Sequence, residues 1–400
     1  MPDFWTIKIE IERRIIMCRA EEKKSVVPGF DFTPHAREHV AEMLPYVPGK
    51  PILEVREEYG LNKVVKLSSN ECPFELPAGL GDAVATVALG GNRYPDALCR
   101  RLRAKVAAKL NVGEDNLIFS NGAEEGIRLI AQIFLNHGDT AIIPTPIFDA
   151  YSVATRLMGA RECCLPLKGH RIDLDAVLQA CKTEDKVKLV WLCSPSNPTG
   201  DILKKKELDD FLAELPQDIM VVLDEAYAEF VTDPEAARTE DYLGSDPRVI
   251  GLRTFSKAYG LAGFRVGYIV AQPGVIDLVN NVKLPFNVNI QALAAAEFML
   301  DEEAFAAAHV DLVVTERDFM QEELAKRGFD VPKSQGSFLF VKIPEKFRTS
   351  GVDLFKKLLP QGFIVRPGTA FGVPEYFRMS LGTREDNTAF LNAFDGAFSD

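Results

Sequence analysis

From Asn116 onward, short apolar segments alternate with amphipathic ones. Leu117–Ser120, Ala141–Ile143, Val187–Cys193, Ile219–Leu223, Val249–Arg253 and Val266–Val270 are rich in β-branched residues and bounded by Gly, Pro, Asn or Asp, the pattern of strands. Between them lie stretches such as Glu124–Leu135, where Ile127, Leu129, Ile130 and Phe134 fall near helical spacing and Gly138 comes next as a stop signal. Strands that are apolar along their whole length are buried on both faces. The pattern therefore predicts an α/β fold with a mostly parallel sheet wrapped by helices. Past Pro285 the alternation weakens. Asn289 to Lys326 reads as one long helix, and Ser337–Ile343, Ile364–Arg366 and Phe377–Leu381 read as strands of a smaller α+β unit. Before Lys66 the chain is loop-rich and proline-rich, with Ile7–Ile11 alternating as a short strand. The expected division is an extension over residues 1–66 packing on the smaller unit or a partner, a large domain over 67–287, and a small C-terminal domain over 288–400.

Composition narrows the class. A length of 400 residues favours more than one domain, and 47% apolar with 26% charged residues is enough to enclose a dry site. A net charge of -12 argues against a nucleic-acid-binding surface or a polybasic membrane patch. Lys204–Lys206, the one basic run, is expected on a solvated helix face. No apolar run approaches the roughly 20 residues of a membrane span. Glu10, Glu12, Arg13 and Arg14 interrupt what a secretory leader would need, and Met17 offers an alternative start. Seven cysteines without a CxxC pair favour reduced thiols and a cytoplasmic protein, with Cys163 and Cys164 expected to be buried. His35 and His39 are four apart, but no third ligand lies nearby, so exposed helix residues are expected and no metal.

Five motifs sit at strand ends, where open α/β sheets place ligands. Ser120-Asn-Gly-Ala-Glu-Glu-Gly126 ends a strand and opens a helix. Its Gly122, Ala123 and Glu124 amides suit an anion, although a plain helix cap has the same look. It is neither a Walker loop nor a dinucleotide fingerprint. Ser194–Gly200 contains two prolines that make a rigid turn, with at least one candidate cis bond, and it holds Asn197 at a strand end. Asp224-Glu-Ala-Tyr227 puts a carboxylate at the end of a buried strand, which is costly unless paired; a protonated pyridine nitrogen is a suitable partner. Thr254-Phe-Ser-Lys-Ala258 places Lys257 between hydroxyls, suited to a covalent aldimine with a phosphate close by. Gly263-Phe-Arg265 adds a guanidinium suited to a phosphate. Each motif has a structural reading. Together, Asp224 and Lys257 offer the two functions that pyridoxal phosphate requires, an acid at the ring nitrogen and an amine at the aldehyde.

With Arg93-Tyr-Pro95 and Arg378-Met-Ser-Leu-Gly-Thr383, these motifs make a chain that resembles the fold-type-I pyridoxal-phosphate aminotransferases, and within them the histidinol-phosphate aminotransferase family. The resemblance runs from Leu44-Pro-Tyr-Val-Pro-Gly-Lys50 to Leu381-Gly-Thr-Arg384. It implies that Lys257 forms the Schiff base and shuttles the proton at the substrate Cα, that Asp224 pairs with the pyridinium, and that Tyr227 and Asn197 bind the ring oxygen. It implies that Phe148 stacks on the ring and that Ala123, Glu124, Thr254, Ser256 and Arg265 hold the phosphate. Tyr94 resembles the tyrosine that reaches the neighbouring subunit's cofactor, so a homodimer is implied. Arg378 resembles the carboxylate clamp, Asn70 lines the substrate entrance, and Tyr46 and Arg366 match positions that meet the phosphate of histidinol phosphate. The implied reaction transfers the amino group of L-histidinol phosphate to 2-oxoglutarate. Two positions depart from the family. Phe286 stands where a tyrosine is common, and Cys72 stands where an asparagine is usual. Both make the pocket more apolar and keep an aromatic amino acid aminotransferase open. A threonine-phosphate decarboxylase is a third possibility on the same scaffold.

Overall fold

A computed structural model describes residues 31–398 except 44, 46 and 47. Ile7–Ile11, Met17 and Tyr46 lie outside the described residues. In chain order the strands are Val65–Lys66 (β1), Leu117–Ser120 (β2), Thr140–Thr145 (β3), Arg161–Pro166 (β4), Val187–Cys193 (β5), Met220–Asp224 (β6), Val249–Thr254 (β7), Gly267–Val270 (β8), Phe338–Lys342 (β9), Phe363–Ile364 (β10), Arg366–Pro367 (β11) and Tyr376–Ser380 (β12). Seven of them form a sheet in the order β2-β8-β7-β6-β5-β3-β4. All pairings in it are parallel except those of β8, which runs antiparallel to both β2 and β7.

Both faces of this sheet are buried, as strands without polar alternation require. Along β5, Leu189, Trp191 and Cys193 join the hydrophobic cluster on one side, and Val190 and Leu192 join the cluster on the other. Each large side chain buried in this way contributes about 1.5–3 kcal/mol. The helix Ala123–Phe134 turns Ile127, Leu129 and Ile130 inward. It lies so close to the sheet that a Cβ at Gly126 would come within 2.7 Å of Leu252 Cδ2. The three-stranded antiparallel sheet, in the order β11-β12-β9, packs Phe338, Val341, Phe377 and Met379 with Phe390 and Phe394 of the C-terminal helix Arg384–Ala397. Among the described residues, no helix is long and apolar enough to cross a membrane.

Several elements differ from the sequence expectation. β4 was not expected. It is an edge strand, half-buried, and Arg161 and Glu162 at its start break the apolar run. Cys163 and Cys164 sit on it and are half-buried rather than buried. The expected helix from Asn289 to Lys326 is two helices, Ile290–Asp301 and Glu303–Lys326, broken where Glu302 takes φ -88° and ψ 54°. No Gly or Pro marks that break. The expected strand Ile364–Arg366 is shared between two sheets, because β10 pairs with β1 while β11 pairs with β12. The loop-rich start contains a helix, Ile52–Tyr59, ended by Gly60 at φ 65°. His39 is half-buried beside His137, with ring centroids 6.3 Å apart, rather than exposed. Lys205 and Lys206 are solvated and paired with Asp209 and Asp210 one helical turn on.

Candidate active site

The direction of the strands decides what meets at one edge of the large sheet. β3, β5, β6 and β7 are parallel and deliver their carboxyl ends there. β2 and β7 both pair antiparallel with β8, so β2 ends at the same edge. Phe148 comes after β3, Asn197 after β5, Asp224 ends β6, Lys257 comes after β7 and the helix at Ala123 after β2. β8 runs the other way, so its beginning lies at this edge: Gly267 pairs with both Ser120 and Thr254. Arg265, two residues earlier, enters from there. Ala123, Phe148, Asn197, Asp224, Lys257 and Arg265 line one cavity of about 570 Å³.

At one end of the cavity is a cup of donors. The first helical residues after Gly122, Ala123 and Glu124, face it together with Thr254, Ser256 and Arg265. The Thr254 and Ser256 hydroxyls are 2.9 Å apart, and the Ser256 amide donates to Thr254 Oγ1 at 3.1 Å. Glycine is required at Gly122, which has φ 76° and where a Cβ would fall 2.7 Å from Arg265 Nη2. A Cβ at Gly267 would likewise meet the Ala123 nitrogen and the Arg253 carbonyl oxygen at 2.7 Å. Absence of two side chains lets the helix N-terminus, the β7 end and the arginine converge.

Across the cavity Lys257 and Asp224 face a common space. Lys257 Nζ donates to the Ser69 and Asn70 carbonyls at 3.2 Å each and lies 5.7 Å from the Tyr227 ring centre. Burial, then the nearby Arg378 charge, pushes its pKa down to about 8. Asp224 is 3% exposed, and burial pushes its carboxyl up to about 6 against the pull of two donors. Those donors are the Ala226 amide at 3.0 Å and the Tyr151 hydroxyl at 2.7 Å. Tyr227 receives the Asn70 side-chain amide at 2.9 Å, and burial pushes its phenol up to about 12. Asn70, at φ 53°, is locked by Ser380, which receives its amide at 2.7 Å and donates to its Oδ1 at 2.9 Å. Asn197 sits between two cis X–Pro bonds, Ser194–Pro195 and Asn197–Pro198, and its Oδ1 accepts from Arg378 Nη1 at 2.6 Å.

The three-stranded sheet forms the remaining wall. Arg378 on β12 also donates to the Ser68 carbonyl at 2.6 Å and is flanked by the Phe338 and Phe371 rings at 5.5 Å. Arg366 on β11 is its direct cross-strand partner, and both line the cavity. Like charges placed opposite one another cost stability, and an anion between them relieves that cost. Tyr94 is outside this cavity: it is 80% exposed and stacks on Phe286 at 4.5 Å. Cys72 does not line the cavity either. Glu225, next to Asp224, points the other way and forms a buried ion pair with Arg253 at 3.0 Å.

Sequence reasoning missed Tyr151, Cys193, Ser380 and Lys50. Tyr151 carried a usable signal, three residues beyond Phe148 and at the opening of the helix Ala150–Leu157. Ser380 carried none, since its contact with Asn70 joins residues 310 apart. Lys50 lines the cavity near Gly49 and pairs with Glu54 at 3.7 Å and with Glu58.

The donor set fits pyridoxal phosphate. The cup would take the phosphate, Asp224 would meet the ring nitrogen, and Lys257, a lysine of suppressed basicity, would meet the aldehyde. Fold and site together define a pyridoxal-phosphate enzyme of fold type I. Residues 62–394 match the description of aminotransferase class I and II. A histidinol-phosphate aminotransferase of Caldicellulosiruptor saccharolyticus is 39% identical over 357 residues, 89% of this chain and 98% of that one. The crystal structure of histidinol-phosphate aminotransferase from Sinorhizobium meliloti, in complex with pyridoxal-5'-phosphate, has the same fold, with TM-score 0.82 at 22% identity over 94% of this chain and 98% of that one. The L-threonine-O-3-phosphate decarboxylase of Porphyromonas gingivalis is also similar, with TM-score 0.73 at 25% identity over 84% of this chain and all of that one. The chain belongs to the aminotransferase class I and II family, among the histidinol-phosphate aminotransferases.

Proposed function

We propose that this enzyme exchanges the amino group between L-histidinol phosphate and 2-oxoglutarate, giving imidazole acetol phosphate and glutamate, a step of histidine biosynthesis in the cytoplasm. The observation that carries the choice of substrate is the cross-strand pair Arg366 and Arg378. Two guanidinium groups suit a phosphate dianion in one half-reaction and the carboxylates of glutamate or 2-oxoglutarate in the other. An aromatic amino acid, with a single carboxylate, needs only one of them.

Pyridoxal phosphate, when bound, supplies the electron sink for the bond made labile at Cα. The chain's residues supply the rest. Lys257 Nζ takes the proton from the substrate Cα and returns it, which a neutral amine near physiological pH can do. Asp224 holds a proton on the ring nitrogen. Tyr227 and Asn197 hydrogen-bond the ring oxygen, and Phe148 stacks on the ring. Ala123, Glu124, Thr254, Ser256 and Arg265 hold the phosphate. Arg378 clamps the carboxylate, Arg366 with Tyr46 meets the distal anion, and Asn70 orients Tyr227. A homodimer completes the site, with Tyr94 reaching the neighbouring cofactor. Tyr94, exposed at 80% and stacked on Phe286, with Leu284 at 70% two residues away from Phe286, supports this reading, because an uncovered apolar patch marks an interface. Residues 67–287 and 288–400 act as large and small domains, and residues 1–66 as an arm.

A panel of amino donors with 2-oxoglutarate as acceptor tests the proposal. Histidinol phosphate should outpace phenylalanine and tyrosine. Equal or faster turnover of phenylalanine or tyrosine assigns the enzyme to aromatic amino acids. Release of carbon dioxide without consumption of a keto acid assigns it to the decarboxylases.

A further inference from the structure

The geometry points to Tyr151 as a positioning residue that acts through Asp224 to keep the cofactor's ring nitrogen protonated. This rests on the reading that Asp224 meets that nitrogen. Tyr151 has no exposed surface, and its hydroxyl donates to Asp224 Oδ2 at 2.7 Å. The other carboxylate oxygen, Oδ1, is occupied by the Ala226 amide at 3.0 Å. One donor behind each oxygen fixes the plane of the carboxylate and favours its charged form.

The phenol is itself held rigidly. Its ring stacks on Trp191 at 5.2 Å and 23°, and the Trp191 indole N–H donates to Thr155 Oγ1 at 3.3 Å. Phe148 meets it edge-on at 6.0 Å, so the residue assigned to stack on the cofactor also packs the residue that steers Asp224. The titratable groups around Asp224 are Tyr151, Cys193, Glu225, Tyr227 and Lys257. Glu225 is turned to Arg253, and burial raises the Cys193 thiol, which leaves it neutral. Burial also raises the Tyr151 phenol well above its ordinary range, so it remains a donor at every working pH. Unlike a buried imidazole, it brings no charge of its own to the pair.

The test uses the holoenzyme loaded with pyridoxal phosphate labelled with 15N in the ring, and compares wild type, Tyr151→Phe, Trp191→Phe and Asp224→Ala. Loss of the hydroxyl makes Asp224 more basic and draws the shared proton from the ring. In Tyr151→Phe the 15N signal should move toward neutral pyridine. The pH midpoint of the cofactor's visible band should rise, because a less electron-poor ring makes the linked nitrogen more basic. The dissociation constant for the cofactor should increase about tenfold, the lower range for a hydrogen bond to a charged group. Trp191→Phe loosens the same packing but leaves the hydroxyl, and should leave the 15N signal in place. A second arm places 3-fluorotyrosine at position 151, which keeps the ring's shape while strengthening the donor, and should lower the midpoint. An unmoved signal and midpoint in Tyr151→Phe and an unmoved midpoint with fluorotyrosine would overturn the inference. So would an equal shift in Trp191→Phe. If Asp224→Ala also leaves the 15N signal unmoved, the assignment of Asp224 to the ring nitrogen fails instead.

Discussion

On the floor of the cavity, each polar group arrives at the end of a buried strand and is met by protein donors or acceptors before any ligand binds. Asp224 has two donors, Lys257 two carbonyls and Tyr227 one amide. On the wall made by the three-stranded sheet, Arg366 and Arg378 stand opposite one another on neighbouring strands; Arg378 too is held by protein acceptors, yet two like charges remain beside the space a substrate enters. On the proposed reading the floor determines the kind of chemistry, and the wall determines which molecules undergo it. On that reading, enzymes that share this fold and differ in reaction, such as the L-threonine-O-3-phosphate decarboxylase, should differ on the wall.

The sharpest way to break this contrast is to remove the floor's amine. Lys257→Ala should lower transamination with every donor by at least about 10⁴-fold, the upper range for general acid–base catalysis, and abolish the visible absorbance band. Asp224→Ala should cost about 10²–10³-fold in kcat, uniformly across donors, while equilibrium dialysis still detects bound cofactor because the cup is intact. Changes on the wall should separate the substrates instead. Arg366→Ala should raise KM for histidinol phosphate about 10- to 100-fold, the loss of one charge-assisted contact, with kcat little changed. Arg378→Ala should fall hardest on glutamate and 2-oxoglutarate in steady-state kinetics.

The floor also has a pH signature. Because Lys257 titrates at about 8, the rate at which cofactor-free protein captures pyridoxal phosphate, monitored by stopped-flow absorbance, should rise about tenfold per pH unit below 8 and level off above it. An unperturbed lysine would keep rising to about 10.4. The smallest effect is expected at Phe286→Tyr. Restoring one hydroxyl should change the ratio of histidinol-phosphate to phenylalanine turnover only a few-fold.

The floor was legible in the sequence because strand ends are. Val187–Cys193 and Ile219–Leu223 announce buried strands, and the residues just past each of them, Asn197 and Asp224, face the cavity. The wall was legible only through family resemblance, since nothing local sets Arg366 opposite Arg378 across a register that the intervening turn decides. The reversal of β8 was invisible for a similar reason: Val266–Val270 is apolar in either direction. The break at Glu302 was missed because no Gly or Pro marks it, and the edge strand β4 because Arg161 and Glu162 interrupt its apolar run even though Gly159 and Pro166 bound it. Tyr151 was missed altogether; it is a fully buried core aromatic as well as a donor to Asp224.

The reversed strand has a consequence for how cofactor loading proceeds. Since β7 leaves the edge and β8 returns from it as neighbours, Lys257 and Arg265 belong to a single hairpin excursion pinned at its base by Phe255 N–H to the Val266 carbonyl at 3.0 Å. On the proposed roles, the covalent anchor Lys257 and the phosphate anchor Arg265 are therefore tethered within this one hairpin before the vitamin arrives. The entropic toll of assembling them is met once, during folding, and a newcomer finds a ready-made caliper.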